Sequence, residues 1–579
     1  MQIKRRKTAS TLLKLGSIPA ILQRIYSARG VSAEEELEKE LTSLLPFTGL
    51  KDIDLAAKRI ETALRNQENI KIIGDFDADG ATSTALAVSA LSALGAKNVS
   101  FLVPNRFVLG YGLTKELLDV AKKDKPKLLI TVDNGISSLE GVNYANELGI
   151  DVLITDHHLA GDVLPSATAI VNPNQPNDSF PSKALAGVGV IFYVMLAVRR
   201  RLQDTDWFTL NNIKVPNMAQ FLDLVALGTV ADVVPLDRNN RILVYQGVKR
   251  IKQGLIREGI KALIEIAGRN FSTLSAADLG YVIAPRLNAA GRLDDMSLGI
   301  ECLLSNEPAK ARKLSQKLNE LNDERKLIEQ EMKVQAFAAM DELQKSLKEV
   351  SMPAGICMMD PSWHQGVIGI LAGRLKEVYH RPVIVFSQVS EVELKGSARS
   401  VKDINIRDVL AQINALHPNL ITKFGGHAMA AGVSMPLESF ALFKESFENE
   451  VAKILPLEKC SHELWTDGPL SHAELTLDTA KILEEGGPWG AQFPEPVFEG
   501  EFYIVQQRIV GDKHLKLSLQ PVDGKQYIDA IAFNVNLDEW PNHRARVLRA
   551  VYILNENVYQ NIARLQLVLQ HFEACELTT

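Results

Sequence analysis

The sequence predicts an α/β protein with a doubly wound parallel sheet, a long connecting helix, a smaller α/β domain and a C-terminal β-barrel. Three observations lead to this prediction. Short β-rich runs alternate with helix-compatible stretches up to residue 171, a pattern typical of a parallel sheet. A stretch without glycine, rich in Glu, Lys, Leu, Gln and Ala, covers residues 306–347. Short strand-like runs recur after residue 500, which favours a barrel.

The first half contains β-rich runs at residues 69–76, 98–103, 127–132, 151–155 and 167–171. A polar cluster follows each run, in the order DFDADG at Asp75, PNR at Pro104, DNG at Asp133, DHH at Asp156 and NPN at Asn172. Ligands of such sheets bind beyond the carboxyl ends of the strands. We therefore expect these clusters to converge in one crevice.

The DFDADG motif places Asp75, Asp77 and Asp79 on alternate positions and closes with Gly80. Such a run opens a calcium-binding EF-hand loop, but the twelfth position, where that loop needs Glu, is Leu86. A strand-like run also precedes the motif where an EF-hand has a helix. Taken alone, the motif leaves a solvated turn and another kind of metal site both open.

Other residues favour the metal site. Carboxylates and an imidazole suit Mg²⁺ or Mn²⁺, with His favouring Mn²⁺, and the candidates are Asp77, Asp79, Asp133, His157 and Asp232. Acids brought so close repel one another unless cations lie between them. Two ions about 3.5–4 Å apart can generate a hydroxide and clamp a phosphate. The alternative for residues 156–158 is a capped turn with one core histidine. The other acids favour the metal site over this alternative.

The glycine-free stretch is predicted to be a helix, since Leu314, Leu318, Leu321, Ile328 and Met332 share one helical face. Its charges are interpreted as a solvated face. Residues 354–359, a helix that opens near Gly366, and residues 382–386 then form a strand, helix, strand unit. Amides near Gly366 can hold a phosphate, and His364 is either a contact or a cap.

The last part of the chain predicts a small barrel, from the runs FYIVQQRIV, HLKLSLQ, YIDAIAFN, RVLRAVYIL and LQLVLQHF. Candidate binding residues on it are Arg508, Lys513, Lys516 and Tyr527. Solvated surface charge is the alternative for each of them.

Composition limits the function classes. The chain of 579 residues predicts two to four domains, and its net charge of −6 argues against bulk adhesion to nucleic acid while permitting a local basic groove. No apolar run is long enough to cross a membrane, and the N-terminus lacks the continuous apolar segment of a signal peptide. The four cysteines, which form no CxxC pair, suggest a reducing compartment and hence the cytoplasm: Cys302, Cys357, Cys460 and Cys575.

The motifs DFDADG, TVDNG, TDHH and GTVADVVPL resemble, in this order, the four motifs of the DHH phosphoesterase superfamily. Over nearly the whole chain the sequence resembles the bacterial RecJ family of single-stranded-DNA exonucleases, through ARGV, PNRFVLGYGL, GVGV, APRLNAAGRLDD, WHQGVIGILAGRL, GSARS, FGGHAMAAG and PEPVF. The resemblance implies a Mn²⁺- or Mg²⁺-dependent exonuclease that degrades single strands from 5′ to 3′ and releases mononucleotides. Recombination and repair are the implied processes.

The resemblance also implies site residues. The metal ligands are the five candidates above, Asp75 is a ligand or lies beside them, and His158 faces the scissile phosphate, so that His158 and Asp75 are the catalytic candidates. A carboxylate or another hydrogen bond normally fixes a ligating imidazole, and Asp156 is the nearest candidate in sequence. The implied substrate-binding residues are Arg106, Tyr111, Arg286, Asn288, Arg292, His364, Ser397, Arg399, Gly425, Gly426 and His427. Among them, those of GSARS and FGGH resemble the phosphate-binding residues of a DHHA1 domain.

The expected domains are an N-terminal segment on the core (1–48), a DHH domain (49–305), the connecting helix (306–349), a DHHA1 domain (350–456) and an OB-fold (457–579). The expected partner is single-stranded DNA, and a single-strand-binding protein and a helicase are candidate protein partners. Two other functions remain open. One is a DHH phosphodiesterase of short oligonucleotides, and the other is a non-catalytic replication scaffold, which would be expected to have lost the metal ligands.

Overall fold

The computed structural model describes residues 2–7, 16, 18–105, 111–347, 352–455, 463–560 and 562–576. The chain divides into two compact units. The smaller unit consists of Met1–Gln2, Ala289–Asp295 and Lys317–Glu463, and the larger unit of Ile3–Asn288, Met296–Gln316 and Leu464–Thr579. Among the described residues, no helix combines the length and the apolar character that spanning a lipid bilayer requires.

The strands that precede residue 200 are β1 (Gln2–Arg5), β2 (Ile70–Ile73), β3 (Val99–Leu102), β4 (Leu128–Val132), β5 (Asp151–Thr155) and β6 (Ala169–Val171). The helices up to residue 304 are α1 (Ala20–Ser27), α2 (Ile53–Asn66), α3 (Ala78–Ala93), α4 (Lys115–Ala121), α5 (Leu139–Glu147), α6 (Gly187–Asp204), α7 (Trp207–Leu210), α8 (Leu222–Ala231), α9 (Arg238–Lys252), α10 (Glu258–Ile266), α11 (Ala276–Asp278), α12 (Ala284–Leu293) and α13 (Ser297–Leu304).

The predicted parallel sheet is confirmed. Its order is β3-β2-β4-β5-β6, and every neighbouring pair is parallel. Strands β2 and β4 are buried throughout, as expected for a sheet covered on both faces. The first predicted run, residues 69–76, ends as a strand at Ile73, because the acidic motif forms a loop and the first turn of α3. The carboxyl ends of the strands thus carry the polar clusters.

Helix α14 (Pro308–Leu347) confirms the predicted connecting helix. The other helices are α15 (Ile368–Tyr379), α16 (Ile406–Leu416), α17 (Phe440–Ile454) and α18 (Leu477–Glu485). The remaining strands are β7 (Ile356–Asp360), β8 (Val383–Gln388), β9 (Glu393–Arg399), β10 (Lys423–Gly426), β11 (Ala430–Pro436), β12 (Glu463–Thr466), β13 (Phe498–Val510), β14 (His514–Pro521), β15 (Ile528–Ala532), β16 (Val547–Tyr559) and β17 (Ile562–Cys575).

The smaller unit is a second α/β layer structure. Its sheet has the order β10-β11-β9-β8-β7, in which only β7 and β8 are parallel, with α15 connecting them. One face packs on α16 and α17 through a cluster that includes Phe386, Leu410 and Phe443. The other face packs on α15 and on the later turns of α14, through a cluster that includes Met332 and Met340. Each face of this sheet is thus covered by helices.

The predicted barrel is confirmed as a closed five-stranded barrel with the order β13-β14-β15-β17-β16. Only β15 and β17 run parallel. Helix α1 shares a hydrophobic cluster with the barrel, which includes Ile25 and Tyr26 from the helix and Phe498 and Phe502 from β13. Strands β1 and β12 form a separate two-stranded sheet. The N-terminal segment and the C-terminal part of the chain are therefore packed together.

A buried ion pair fixes this packing. Arg29, in the ARGV motif, donates to Asp467 at 2.8 Å, and the side chains of both are only 1% exposed. Asp467 also accepts from Arg6 at 3.1 Å and from the backbone N–H of Val497 at 3.0 Å. Arg29 further donates to the carbonyl of Pro494, in the PEPVF motif. These two motifs thus have a structural role in the larger unit.

Candidate metal centre and phosphate-binding site

The loop from β2 into α3 is shaped by its own side chains. Asp77 is the N-cap of α3, and its carboxylate accepts the backbone N–H of Gly80 at 2.9 Å. A Cβ atom at Gly80 would lie 2.6 Å from the carbonyl oxygen of Asp75, so this turn requires glycine. The backbone N–H of Phe76 donates to Asp75 Oδ1 at 2.7 Å. The loop therefore holds Asp75 and Asp77 close together.

Asp79 is held by the first turn of another helix. Its two carboxylate oxygens accept the backbone N–H groups of Gly187 at 2.7 Å and Val188 at 3.0 Å, at the start of α6. The positive end of a helix stabilises a negative charge at this place. A Cβ at Gly228 would lie 2.7 Å from Asp79 Oδ1, and one at Gly187 would lie 2.6 Å from the Cβ of Asp133. The close approach of these acids depends on both glycines.

Three elements bring Asp133, His157 and Asp232 together. His157 Nε2 lies 3.1 Å from Asp133 Oδ1 and 3.4 Å from Asp232 Oδ2. Asp133 follows β4 with a φ of 62°, a conformation in which Asp and Asn are enriched. Asp232 directly follows the last residue of α8, and His157 follows β5. The predicted convergence at the carboxyl ends of the strands is therefore present.

The acidic cluster, as we call it, comprises Asp75, Asp77, Asp79, Asp133, His157, His158 and Asp232. It contains three groups whose ligand atoms lie within 4.8 Å of one another: Asp133, His157 and His158; Asp79, His157 and Asp232; and Asp75, Asp77 and Asp133. The groups overlap at His157 and Asp133. Donors shared in this way are typical of a site for two neighbouring cations.

The electrostatics of the acidic cluster fit cations. Burial, followed by the charge of Asp77, raises the pKa of Asp79 to about 7. Burial also raises the pKa of Asp133 and of Asp232 well above the usual range, and the charge of Asp79 adds to both shifts. Asp133 Oδ1 is buried and makes no hydrogen bond among the described residues. Divalent cations would supply the positive charge that these oxygens face, so the residues fit a metal site.

Asp156 contacts the ring of the second histidine of the motif. Its Oδ1 lies 2.7 Å from Nδ1 of His158, so it fixes the ring beside the ligating histidine. It also accepts the backbone N–H of His157, at 2.8 Å. The physical reason is the turn at Asp156, in which one carboxylate oxygen reaches the backbone and the ring two residues on. Burial lowers the pKa of His158, but the hydrogen bond and charge of Asp156 outweigh it and raise the pKa to about 9.

Two asparagines after β6 hydrogen-bond to the backbone of the loop that carries His157 and His158. The side-chain amide of Asn172 donates to the carbonyl of His158 at 2.9 Å, and that of Asn174 donates to the carbonyl of His157 at 2.6 Å. The NPN cluster therefore belongs to the site as a support of the histidine loop. The sequence predicts this cluster at the sheet edge. It does not predict the contact between the asparagines and the histidine loop.

The substrate-binding candidates of the larger unit lie beside the acidic cluster. The ring of Tyr111 is 6.1 Å from that of His158 in an edge arrangement, and its hydroxyl donates to the carbonyl of Asp133 at 3.4 Å. Asn288 accepts the backbone N–H of Ala78 at 2.8 Å, which ties α12 to the start of α3. Arg106 lies outside the described residues. Binding of substrate by these residues stays a prediction.

Arg286 lies one turn beyond an irregular segment. The residues Leu279–Ile283 form a π-helical turn between α11 and α12, and Arg286 donates to the carbonyl of Val282 at 2.5 Å. Turns of this kind are rare and frequent at functional sites. Nothing in the sequence pattern signalled this one.

In the smaller unit, Ser397 and Arg399 share one face of β9. Arg399 Nη1 donates to Ser397 Oγ at 3.1 Å and to the carbonyl of Ala398 at 2.8 Å. Gly369, in the first turn of α15, lies over them, and a Cβ there would be 2.9 Å from both Ser397 Oγ and Arg399 Nη2. Gly369 was not among the predicted residues, although it belongs to the WHQGVIGILAGRL motif.

The row of residues beside Ser397 consists of glycines. Ser397 is paired with Gly432 on β11, and Gly432 is paired with Gly425 on β10. Both glycines are exposed, and a Cβ at either would meet no atom within 4 Å among the described residues. We call Gly425 and Gly432 the glycine strip. It leaves the sheet surface bare beside Ser397, where an anion can approach closely.

The other predicted phosphate contacts of the smaller unit make backbone contacts. The N–H of Gly366 donates to His364 Nδ1 at 3.1 Å, so His364 acts as a cap at this turn. Arg292 belongs to the smaller unit and donates to the carbonyl of Gly366 at 3.3 Å.

His427 donates its N–H to the carbonyl of Ala430 at 2.8 Å, and Gly426 has a φ of 139° that favours glycine. Their phosphate-binding roles stay predictions.

Three families match successive parts of the chain. Residues 69–229 match the DHH family, N-terminal domain; residues 351–453 match the DHHA1 domain; and residues 466–571 match the RecJ OB domain. Together with the sheets and the barrel, these matches confirm the predicted fold class.

The chain is also similar to whole proteins. It is 48% identical over 571 residues to the single-stranded-DNA-specific exonuclease RecJ of Escherichia coli strain K12, covering 99% of both chains. It is 50% identical over 555 residues to the enzyme of the same name from Haemophilus influenzae, covering 96% of both. The crystal structure of RecJ in complex with Mn²⁺ from Thermus thermophilus has a TM-score of 0.80 and 28% identity, covering 100% of this chain and 80% of that one. With near-complete coverage at the identities of the first two relatives, the chain belongs to the RecJ family of single-stranded-DNA-specific exonucleases.

Proposed function

We propose that this protein is an exonuclease that hydrolyses single-stranded DNA from the 5′ end towards the 3′ end and releases 5′-mononucleotides, in DNA recombination and repair. The observation that carries the proposal is the convergence of His157 Nε2 on Asp133 and Asp232 at 3.1 and 3.4 Å, within a buried set of carboxylates. The names of its relatives and the Mn²⁺ complex of the Thermus enzyme support the same activity.

The proposed cofactor is a pair of Mn²⁺ or Mg²⁺ ions held by Asp77, Asp79, Asp133, His157 and Asp232, with Asp75 beside them. When bound, such ions activate a water molecule and neutralise the charge that develops on the phosphate. The carboxylate of Asp79 is held by two backbone amides, and the backbone carbonyl of His157 is held by the side-chain amide of Asn174. The donors are thus fixed in place before any substrate arrives.

His158 is the proposed phosphate contact. Its Nδ1 lies 2.7 Å from the buried carboxylate of Asp156, which orients the ring and favours the tautomer with a proton on that nitrogen. Asp156 is itself fixed by the backbone N–H of Ile136 at 2.9 Å. The ring therefore turns little, and Nε2 is the atom through which we propose that it acts on the scissile phosphate. The edge of Tyr111 against this ring limits its movement further.

Recognition of the 5′ end is assigned to the smaller unit. Ser397 and Arg399 offer a hydroxyl and a guanidinium on one strand face, and the glycine strip offers approach to the sheet backbone beside them. A guanidinium binds a phosphate through two parallel hydrogen bonds. We propose that these groups hold a terminal phosphate, which would set the direction of degradation.

The proposal extends to partners and location. A single-strand-specific nuclease needs a supply of single strands, so a helicase and a single-strand-binding protein are the proposed protein partners. The described cysteines Cys302, Cys357 and Cys575 are free thiols, which supports a reducing compartment such as the cytoplasm.

The experiment that tests the function compares single strands labelled at the 5′ or the 3′ end, with Mn²⁺, Mg²⁺ or a chelator. We expect the 5′ label to appear at once as a mononucleotide while the 3′-labelled strand shortens stepwise, and no cleavage with the chelator. Strands of increasing length separate this activity from that of a short-oligonucleotide phosphodiesterase. Cleavage confined to the shortest strands, or from the 3′ end, would contradict the proposal.

A second experiment concerns the 5′ phosphate. We expect Arg399→Ala to reduce the preference for a 5′-phosphate over a 5′-hydroxyl end by roughly 10- to 100-fold in kcat/KM, because hydrogen bonds to charged groups contribute about 1.5–3 kcal/mol. Lys395→Ala is the matched control, since Lys395 occupies the same face of β9 two positions before Ser397. Equal losses on both kinds of end would mean that Arg399 binds an internal phosphate or only supports the sheet.

A further inference from the structure

Three features coincide at Val233. It directly follows Asp232, it has a φ of 60°, and its side chain is 71% exposed. The left-handed conformation at the end of a helix normally falls to Gly or Asn, and a β-branched residue there is a genuine outlier. Its backbone N–H donates to the carbonyl of Val230 at 3.3 Å, so the conformation belongs to the closing turn of α8. An exposed apolar side chain is thus retained at a strained position beside a proposed metal ligand.

Tyr281 is exposed on the segment that packs against the same helix end. It is 86% exposed and lies at the centre of the π-helical turn Leu279–Ile283. The preceding residue, Gly280, contacts α8, since a Cβ there would lie 3.0 Å from Val230 Cγ1. Val230 is the residue whose carbonyl accepts the N–H of Val233. Val230, in the turn that precedes Asp232, is therefore contacted both by the backbone of Val233 and by the residue that precedes Tyr281.

Scattered exposed apolar residues are ordinary and need no explanation. These two differ because each depends on an unfavourable backbone, a positive φ in one case and a π-turn in the other. Val233 also directly follows Asp232 of the acidic cluster, Tyr281 follows the glycine that packs on the same helix end, and both belong to the same unit. We call Val233 and Tyr281 the apolar platform.

We propose that the apolar platform binds a nucleobase of the DNA strand, with Tyr281 stacking on the base and Val233 packing against its edge or sugar. The inference rests on the proposed function. A phosphate at the acidic cluster carries a nucleoside on either side, and the platform begins at the residue that follows Asp232, which is why we assign it to a base next to the scissile phosphate. Stacking on an aromatic ring tolerates every base, because each base has a π-face. Such a contact would not depend on the identity of the base.

The test uses single strands in which one base, at successive positions from the 5′ end, is removed as a tetrahydrofuran abasic residue. We expect the wild-type enzyme to show a KM raised by roughly 5- to 150-fold when the gap occupies the position that meets the platform, the range that stacking on one base implies. Tyr281→Ala should have this higher KM on intact strands and lose the sensitivity at that position. Tyr281→Phe, which keeps the ring, should behave as the wild type.

Val233→Gly provides an independent variant. Glycine adopts a φ of 60° without strain, so we expect a higher thermal midpoint together with a weaker response to the same gap. Leu210→Ala, at an equally exposed apolar residue at the end of α7, is the matched control and should change neither quantity.

A wild-type enzyme without sensitivity to any abasic position would overturn the platform. So would a Tyr281→Ala variant that retains the wild-type ratio between intact and abasic strands, even with a changed KM, since that outcome belongs to a structural or protein-binding role. Absence of 5′-to-3′ cleavage of intact strands by the wild type is a different failure. It would overturn the proposed function, and the platform with it.

Discussion

Asp133→Asn is expected to abolish the nuclease activity and to leave the fold intact. Asparagine has nearly the same shape as aspartate and tolerates the φ of 62° at this position. It removes one negative charge from the place where two of the three ligand groups overlap. Since the loss of a single transition-state donor already lowers kcat by about 10²–10³-fold, we expect a loss of at least about 10³-fold at saturating Mn²⁺.

A measurement of metal binding and a control variant make this prediction specific. Binding of Mn²⁺ to the folded protein alone should raise the thermal midpoint of the wild type, by an amount that grows with the Mn²⁺ concentration, and the variant should show a smaller rise. Asp119→Asn is the control, because Asp119 is an exposed acid paired with Lys122. Turnover of Asp133→Asn within a few-fold of the wild type would refute the assignment of Asp133 as a ligand.

Asp133→Asn is a sharper test than Asp79→Asn. Both oxygens of Asp79 accept backbone N–H groups of α6, so an amide there would direct an N–H at another N–H. A loss of activity in Asp79→Asn can thus arise from displacement of α6. Asp133 Oδ1 makes no hydrogen bond among the described residues. Its replacement changes the charge without removing a hydrogen bond at that atom.

The largest effect on stability is expected for Asp467→Ala. The substitution leaves the guanidinium of Arg29 buried, with its side chain 1% exposed, and removes the acceptor of Arg6 and of the Val497 N–H. Breaking a buried ion pair on one side costs about 3–5 kcal/mol. The N-terminal helix and the barrel share the cluster beside this pair, so we expect them to lose their packing together.

Urea unfolding followed by tryptophan fluorescence measures this loss, and Asp204→Ala is the matched control. Asp204 pairs with Arg200 at 3.0 Å on the surface, where both side chains are more than half exposed. An exposed pair of this kind contributes about 0–1 kcal/mol. A shift for Asp467→Ala no larger than that of Asp204→Ala would show that the buried pair does not stabilise the larger unit.

Parts of the site follow from local sequence. Runs of β-branched residues mark β2, β4 and β5, and the polar residues that end these runs mark the sheet edge. Because neighbouring strands are parallel, their carboxyl ends must meet at one edge, which brings Asp133 and His157 towards the DFDADG loop. The periodicity of α14 likewise predicted which of its faces is buried, and Leu318 and Met332 lie there.

Other parts were decided only by tertiary packing. The sequence located Asp156, but the turn geometry determined that it binds the ring of His158. The strained φ of Val233 and the π-turn at Tyr281 oppose local preference, so no local pattern predicts them. Several glycines matter because they carry no side chain, and elements distant in the chain determine which atoms approach them: Gly187, Gly228, Gly369 and Gly432. Local periodicity thus determined where strands, helices and acids lie along the chain, whereas contacts between distant residues, set by close packing, determined how these acids and their supports meet.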